Sequence, residues 1–380
     1  GKSLRARLTR WTVSSVSMTL GAMSVTVPLC AVYFGNISLV GIVTNILLLW
    51  LISIIFYGIM AACLFGVIWL PLGTLIGWLL SWPIRMILWV TDMISRLPVA
   101  AVYTSSVYIV AWLIFCYVLV TVFVKIRKKQ PILLACCLLV GLLGAVACSW
   151  IEPRLDDYRI TALDVGQGQC LLLQKDGKHY MVDCGGDSDE TAADRAIGLL
   201  LSQGVFRLDG LIITHYDADH ANGAVYLTQT TDIKTMYLPD TEPENQLRRL
   251  LRQQGVPIRW MDDAASLPCG TGELILYPSE NGANGNESSM SILFRGEHCD
   301  ILITGDRDLE GEHRLLQQGT IPDLEILVAG HHGAATSSGV ELLHHTMPEL
   351  VLISVGADNL HGHPDSKTLK RFSGAGCIVR

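Results

Sequence analysis

From Trp11 to Ile84 the chain runs for 74 residues without a Lys, Arg, Asp or Glu. A bilayer core of ~30 Å takes about 20 apolar residues per helix, so this run holds up to three membrane passes. Unpaired backbone groups are not tolerated in lipid, so the passes must be helices. Polar breaks near Gly35-Asn36 and Pro71-Leu72-Gly73 divide the run into expected spans at 15–33, 37–57 and 60–82, the last open to a break at Pro71. A mixed stretch, 83–104, carries Arg85, Asp92 and Arg96, and further spans are expected at 105–124 and 131–151, about five in all.

Charge divides the chain at the same place. Residues 1–151 hold ten Lys or Arg against one acid, Asp92, for a net +9, whereas 152–380 hold 18 basic against 34 acidic residues, net −16. Charged residues are 17 % of the whole, below the soluble share of about 25 %. One uniform soluble domain is excluded. The expectation is a transmembrane domain over 1–151 and a water-soluble acidic domain over 152–380. Basic segments stay cytoplasmic. Lys2, Arg5, Arg7 and Arg10 precede the first span, and Lys125, Arg127, Lys128 and Lys129 separate the last two. Five spans satisfy both clusters and put 152–380 outside the cytoplasm. The first span, rich in Ser, Thr and Gly, could instead lie along the interface. The chain opens on Gly without a signal-peptide layout and is expected to be the C-terminal portion of a longer membrane protein. Eleven cysteines without a C-x-x-C argue against a zinc ribbon or disulfide scaffold; Cys170 and Cys184 fall in apolar strand patterns and read as core thiols.

From Tyr158 the periodicity shortens. Strands are expected at 158–165, 169–174, 179–183, 208–214, 233–238, 273–278, 289–294, 299–304, 324–329 and 350–355. Helices are expected near 189–203, 243–254, 309–318, 338–346 and 365–372. Grouped strands followed by alternation with helices predict layered sheets with helices outside. The chemistry falls at strand ends, where a rigid sheet can hold ligands on short tethers. Thr214-His215-Tyr216-Asp217-Ala218-Asp219-His220 follows the apolar run Leu211–Ile213 and places four metal-capable side chains within six residues. That arrangement suits two adjacent metal ions better than one tetrahedral zinc. Three more ligand-bearing turns follow strands: Thr304-Gly305-Asp306, Gly330-His331-His332-Gly333 and His361-Gly362-His363-Pro364. A lone histidine at such a turn is more often structural; four such turns in one domain are harder to explain that way. His179, His298, His313, His344 and His345 read as structural or solvated.

These turns, in this order, resemble the metallo-β-lactamase superfamily, which implies an αββα sandwich. Leu163-Asp164-Val165-Gly166-Gln167-Gly168, Met181-Val182-Asp183-Cys184-Gly185-Gly186, the 214–223 loop, Asn286 with Ser289, ITGD, GHHG and HGHP together resemble the ComEC family of DNA-internalisation competence proteins. The fold class expected is therefore a multi-pass α-helical membrane domain followed by an α/β metallo-β-lactamase-like domain. The resemblance implies metal ligands His215, Asp217, Asp219, His220, Asp306 and His332. His331 and His363 would lie at the rim as phosphate contact or proton donor, with His363 an alternative ligand. Asp219 counts as catalytic with them, and Asn286 and Ser289 as substrate-binding. Two departures stand out: Gln169 replaces the family's usual Asp, and Ala334 replaces a Ser. They leave a weakened or inactive hydrolase open.

The resemblance further implies a DNA-uptake channel for transformation, whose outer domain degrades the strand not imported, working with a DNA receptor and a cytoplasmic ATP-driven motor or helicase. No G-x-x-x-x-G-K-[ST] loop is present in these 380 residues. Carboxylate-rich ligation favours two Mn²⁺ ions, with Zn²⁺ or Mg²⁺ open. The net −16 opposes binding a polyanion, and Arg248, Arg249 and Arg252 on one helix read more readily as a solvated face. Two alternatives stand beside the nuclease: a membrane-anchored phosphoesterase with a non-nucleic-acid substrate, and a non-catalytic DNA guide. Asn36 and Asn45, in otherwise apolar sequence, are candidates for lining a path, with helix packing an equally common reason.

Overall fold

A computed structural model describes residues 4–33, 35–95, 97, 100–104, 106–126, 130–155, 158–279, 289–357 and 359–380. Lys2, Arg96, the basic residues 127–129 and Asn286 lie outside them. The chain divides into two compact units, Gly1–Val146 and Ala147–Arg380.

The first unit is helical: α1 Leu4–Tyr33, α2 Gly41–Ile68, α3 Leu70–Ser95, α4 Val107–Lys125 and the start of α5 Pro131–Leu155. Among the described residues four helices, α2 to α5, are long and apolar enough to cross a membrane, while α1 offers a shorter apolar piece at Val16–Ala31. About five spans are expected from the sequence and four reach the length and hydropathy of a crossing, the first expected span, 15–33, falling short; the boundaries need correction too. The expected break near residue 58 is absent, and α2 runs on to Ile68. The interruption is at Trp69, extended at φ −151° and ψ 101°. Pro71 then sits in the first turn of α3, where a missing N–H costs no hydrogen bond. Pro83 lies inside α3 without ending it, so half of the stretch read as mixed is helix. Beyond it, 101–103 pair antiparallel with 36–38. Asn36 therefore belongs to a strand pair at the end of a helical hairpin.

Glycine brings α2 and α3 together. A Cβ on Gly73 would lie 2.5 Å from the Gly66 Cα and 2.8 Å from the Ala62 carbonyl oxygen. Small residues permit this backbone approach, which supplies the van der Waals contact that lipid-embedded helices lack otherwise.

Among its described residues the second unit contains two large sheets and a two-stranded parallel pair, Arg207–Leu208 with Asp232–Ile233. The first is built in strict chain order from β1 Arg159–Ala162, β2 Leu171–Lys175, β3 Lys178–Val182, β4 Gly210–Ile212, β5 Met236–Pro239 and β6 Ile258–Met261. The second follows in the same way: β7 Ala265–Cys269, β8 Gly272–Tyr277, β9 Ser291–Arg295, β10 Asp300–Ile303, β11 Ile326–Val328, β12 Leu350–Leu352 and β13 Ile378–Val379. Each begins as an antiparallel meander and ends in parallel strands, β3 to β6 and β10 to β13. Strands β6, β7 and β13 fall outside the runs read from the sequence. β6 and β13 are short and of mixed exposure, which leaves little periodicity to find; β7 does alternate buried and exposed residues, but over five positions that include Pro268.

Period-two alternation builds the layers. Leu172 and Met181 face a core shared with α6 Asp189–Ser202. Their neighbours Leu171, Leu173, Tyr180 and Val182 face the second sheet, meeting Leu274, Leu276, Ile292, Phe294, Ile301 and Ile303. On the far side Leu293, Leu302, Leu327 and Val351 meet α10 Leu309–Gln318, α11 Val340–Thr346 and α12 Ser366–Gly374. The result is helix, sheet, sheet, helix. The short α7 Ala218–Ala221, α8 Ala224–Thr230 and α9 Gln246–Arg252 complete the outer layer of the first half. Cys170 and Cys184 are fully buried, as expected of core thiols.

Gly73→Val should destabilise the α2–α3 hairpin by about 1–3 kcal/mol, because the clash is with backbone that cannot rotate away. Gly77→Ala, with nothing within 4 Å of its Cβ, should leave stability near wild type. Thermal unfolding of the detergent-solubilised chain distinguishes the two.

Candidate metal centre

The parallel strands of both sheets deliver their C-terminal ends to one place, the position where open α/β sheets hold ligands. Past β4, Thr214 and His215 are fully buried. Asp217 then opens α7, which carries Asp219 and His220. Past β10 comes Asp306, past β11 a tight turn at Gly330–Gly333, and past β12 Ser354. The turn holds His331 and His332 left-handed, at φ 50° and 54°, which aims consecutive imidazoles at different faces of the site.

The side chains singled out by the sequence meet here. His220 Nε2 lies 3.1 Å from Asp306 Oδ1 and 3.2 Å from His332 Nε2. His332 Nε2 is 3.3 Å from Asp219 Oδ2, and His215 Nε2 is 3.6 Å from Asp217 Oδ2 and 3.8 Å from Asp306 Oδ2. His331 Nε2 stands 3.7 Å from Asp306 Oδ2. Two overlapping groups, His215–His220–Asp306 and Asp219–His220–His332, hold their ligand atoms within 4.8 Å of one another.

Hydrogen bonding decides what those atoms can do. Asp183, buried at the end of β3, accepts from Thr214 N at 2.7 Å, Thr214 Oγ1 at 2.9 Å, Gln169 Nε2 at 2.8 Å and His220 Nδ1 at 2.8 Å. His220 must therefore donate from Nδ1. His332 Nδ1 likewise donates to the Ser354 carbonyl at 2.7 Å. Thr214 Oγ1, having given its proton to Asp183, accepts from His215 Nδ1 at 3.1 Å. In their neutral forms all three rings then present bare Nε2 lone pairs to the carboxylates of Asp306 and Asp219. His215 Nε2 is buried without a hydrogen-bond partner. Acceptors facing acceptors at 3.1–3.3 Å need a cation between them. The spacings match the edges of a coordination shell, about 3.0 Å octahedral and about 3.4 Å tetrahedral for ligands about 2.1 Å from the ion. The donor set fits divalent metal.

Electrostatics agree. Burial alone would lower His220, but the Asp306 and Asp183 carboxylates outweigh it and hold the ring well above its ordinary value. Burial would raise Asp306, yet His220, His215 and His332 keep it far below the carboxylate range. Asp219, pushed up by burial and down by His332 and His220, comes to about 2. The His215 ring beside Asp217 holds that carboxyl low. A pocket so anxious for positive charge is built for cations.

Ser289, expected at the substrate, is fully buried, and its hydroxyl accepts from Asp306 N at 3.0 Å. Its position makes it a support for the aspartate. His331 is partly exposed at the rim and His363 lies beside it, ring centroids 5.5 Å apart. Burial lowers both imidazoles from their ordinary value. Arg248 is engaged internally, 2.6 Å from Asp240 and stacked over Trp260 at 4.3 Å, so the basic face of α9 is thinner than its sequence suggests.

Sequence reading did not assign roles to Asp183, Thr214, Ser354 or Gln169. Gln169, a departure from the expected Asp, is 3 % exposed and donates its amide to Asp183; it supports the orienting carboxylate. Asp183 was visible as part of the Met181–Gly186 motif at the end of an apolar strand, without a role attached to it. The glycines around it have a steric reason: a Cβ on Gly185 would collide with the Asp219–His220 backbone, which Gln169 N and Cys184 N clasp through the Asp219 and His220 carbonyls at 2.9 Å.

Comparison with known proteins follows the division of the chain. Residues 2–129 match the competence protein family, and residues 163–353 match the metallo-beta-lactamase superfamily. The chain belongs to the metallo-beta-lactamase superfamily. Joining its domain to a competence membrane region is the organisation of ComEC-type proteins. ComE operon protein 3 of Bacillus subtilis is 24 % identical, over 97 % of this chain and 50 % of its own length. Competence protein ComA of Neisseria gonorrhoeae is 26 % identical, over 80 % of this chain and 41 % of its own. The uncharacterized protein YcaI of Escherichia coli is 26 % identical, over 96 % and 46 %. The chain thus spans about half the length of these relatives. Among solved structures, YhfI from Bacillus subtilis is similar over 59 % of this chain and 96 % of its own, at 12 % identity and TM-score 0.39.

Asp183→Asn should loosen divalent metal binding by about 10–100-fold by releasing the His220 tautomer. Titration calorimetry with Mn²⁺ on the solubilised chain measures it; unchanged affinity would mean that Asp183 does not orient a ligand.

Proposed function

We propose that this chain is part of a DNA-uptake channel for transformation, and that its second unit is a dinuclear-metal phosphodiesterase that degrades the strand not imported. The reading is carried by the meeting of His215, His220 and His332 lone pairs with Asp219 and Asp306 at the ends of strands from both sheets. The competence match over 2–129 supplies the DNA context. His215, Asp217, Asp219, His220, Asp306 and His332 would hold the ions, with donor atoms converging in two groups, His215–His220–Asp306 and Asp219–His220–His332. Bound cations would lower the pKa of a water and neutralise charge on phosphate oxygens. Mixed carboxylate and imidazole ligation favours Mn²⁺, with Zn²⁺ and Mg²⁺ the competitors.

The chain's own groups do the positioning. Asp183 and Ser354 fix two rings, and Ser289 fixes the Asp306 backbone. His331 and His363, kept neutral by burial at ordinary pH, stand where a phosphate would enter and can accept a hydrogen bond or, once protonated, give a proton to a leaving oxygen. We assign the hydrolytic unit to the extracytoplasmic side: with the basic residues 125–129 held inside, the one span that follows them, Pro131–Leu155, ends outside. DNA, a DNA receptor and an ATP-driven motor are the partners this reading requires. One observation favours a smaller phosphoester instead: the net −16 of residues 152–380, with Arg248 already engaged.

Asp219→Ala and His215→Ala should each reduce Mn²⁺-dependent cleavage of DNA by more than about 100-fold, since even partners of metal ligands cost 10–100-fold when lost. A nuclease assay on the full chain across several divalent metals reads this out. Wild-type turnover of a nucleotide-sized phosphodiester but not of DNA would favour the anchored phosphoesterase. No turnover of either would leave a guide domain.

A further inference from the structure

Leu360 is 99 % exposed, a whole aliphatic side chain held in water at the outer end of a row of imidazoles that leads to Asp306. Its backbone is not loose. Asn359 donates from Nδ2 to the Gly356 and His363 carbonyls at 2.8 and 2.7 Å and accepts from His363 N at 3.0 Å. One side chain thus closes the base of the turn and fixes Leu360 and His361 outward. Behind them runs a row of rings: His361 stacks on His363 at 5.8 Å and 17°, and His363 meets His331 at 5.5 Å. His331 reaches to within 3.7 Å of Asp306. His363 Nδ1 is buried and has no hydrogen-bond partner in the protein, so the row contains a polar atom left for something else.

A row of flat faces leading from a phosphodiester site, ending in a fixed apolar tip, has the chemistry that binds unpaired bases. Stacking on a ring accepts any base because each has a π-face, and a projecting aliphatic side chain adds an apolar surface for the face of an unpaired base. Bases inside a duplex already stack on each other and offer no free face. A lipid surface fits less well, since one leucine beside an exposed imidazole presents little apolar area. Resting on the phosphodiesterase reading, we infer that the turn Asn359–His363 is a base-stacking element that engages the nucleotide beside the scissile phosphate and selects single-stranded nucleic acid.

The test uses the full chain in detergent with Mn²⁺ and two single-stranded oligonucleotides, one normal and one carrying abasic sites throughout its centre. Wild type should prefer the base-bearing strand by about tenfold in kcat/KM, the scale of one stacking contact. In the Leu360→Ser/His361→Ala variant that preference should collapse toward one, mainly through KM. A variant that keeps the wild-type preference, or a wild type that cleaves both strands equally, overturns the stacking role while leaving the hydrolase standing. Cleavage of neither strand, nor of bis(p-nitrophenyl) phosphate, by wild type overturns the hydrolytic reading and this one together.

Discussion

Everything at the active end of the second unit follows from one forced arrangement. Asp183 and the Ser354 carbonyl can only accept, so His220 and His332 must donate to them from Nδ1. Their remaining nitrogens then confront each other at 3.2 Å beside carboxylates. Such a cluster is costly in a dry pocket unless positive charge sits within it. The same fold that buries Asp183 and His220 completely therefore makes the site depend on cations, and makes the buried orienting network as important as the ligands.

The double-sheet layout explains how so few residues suffice. Each sheet starts as a meander and turns parallel, and the parallel strands end at the site. Crossing helices need loops only at the two ends of the strands, so one end is free to be specialised. Left-handed His331 and His332, the Gly185 contact with the 219–220 backbone and the fully buried Ser289 are strained or tightly fitted features. They are affordable because strands on both sides are buried and regular.

The first unit rests on a different force. In lipid, apolar side chains gain nothing by leaving the solvent, so close backbone contact has to hold helices together. Gly66 and Gly73 provide that for α2 and α3, and the Trp112 ring donates to the Leu138 carbonyl at 3.0 Å across α4 and α5.

The sequence by itself determined that the first part of the chain is built for a membrane, because an uncharged run of 74 residues has one stable environment; the number of passes and their ends it did not determine. It also determined the ligand-bearing turns, because His and Asp clusters after apolar strands are local in the chain, and most strands of the two sheets, because burial on one or both faces leaves a period. Tertiary structure alone decided the rest. Where α2 ends depended on backbone geometry at Trp69 and on packing, with no polar residue to mark it. That Asp183 links Gln169 to His220, and that Ser289 faces Asp306 instead of solvent, depend on which strands pair and in what register. Hydrogen-bond partnership of this kind leaves no periodicity in a single chain; it exists only once the strands have paired, and His220 meets His332 only once the two sheets have closed on each other.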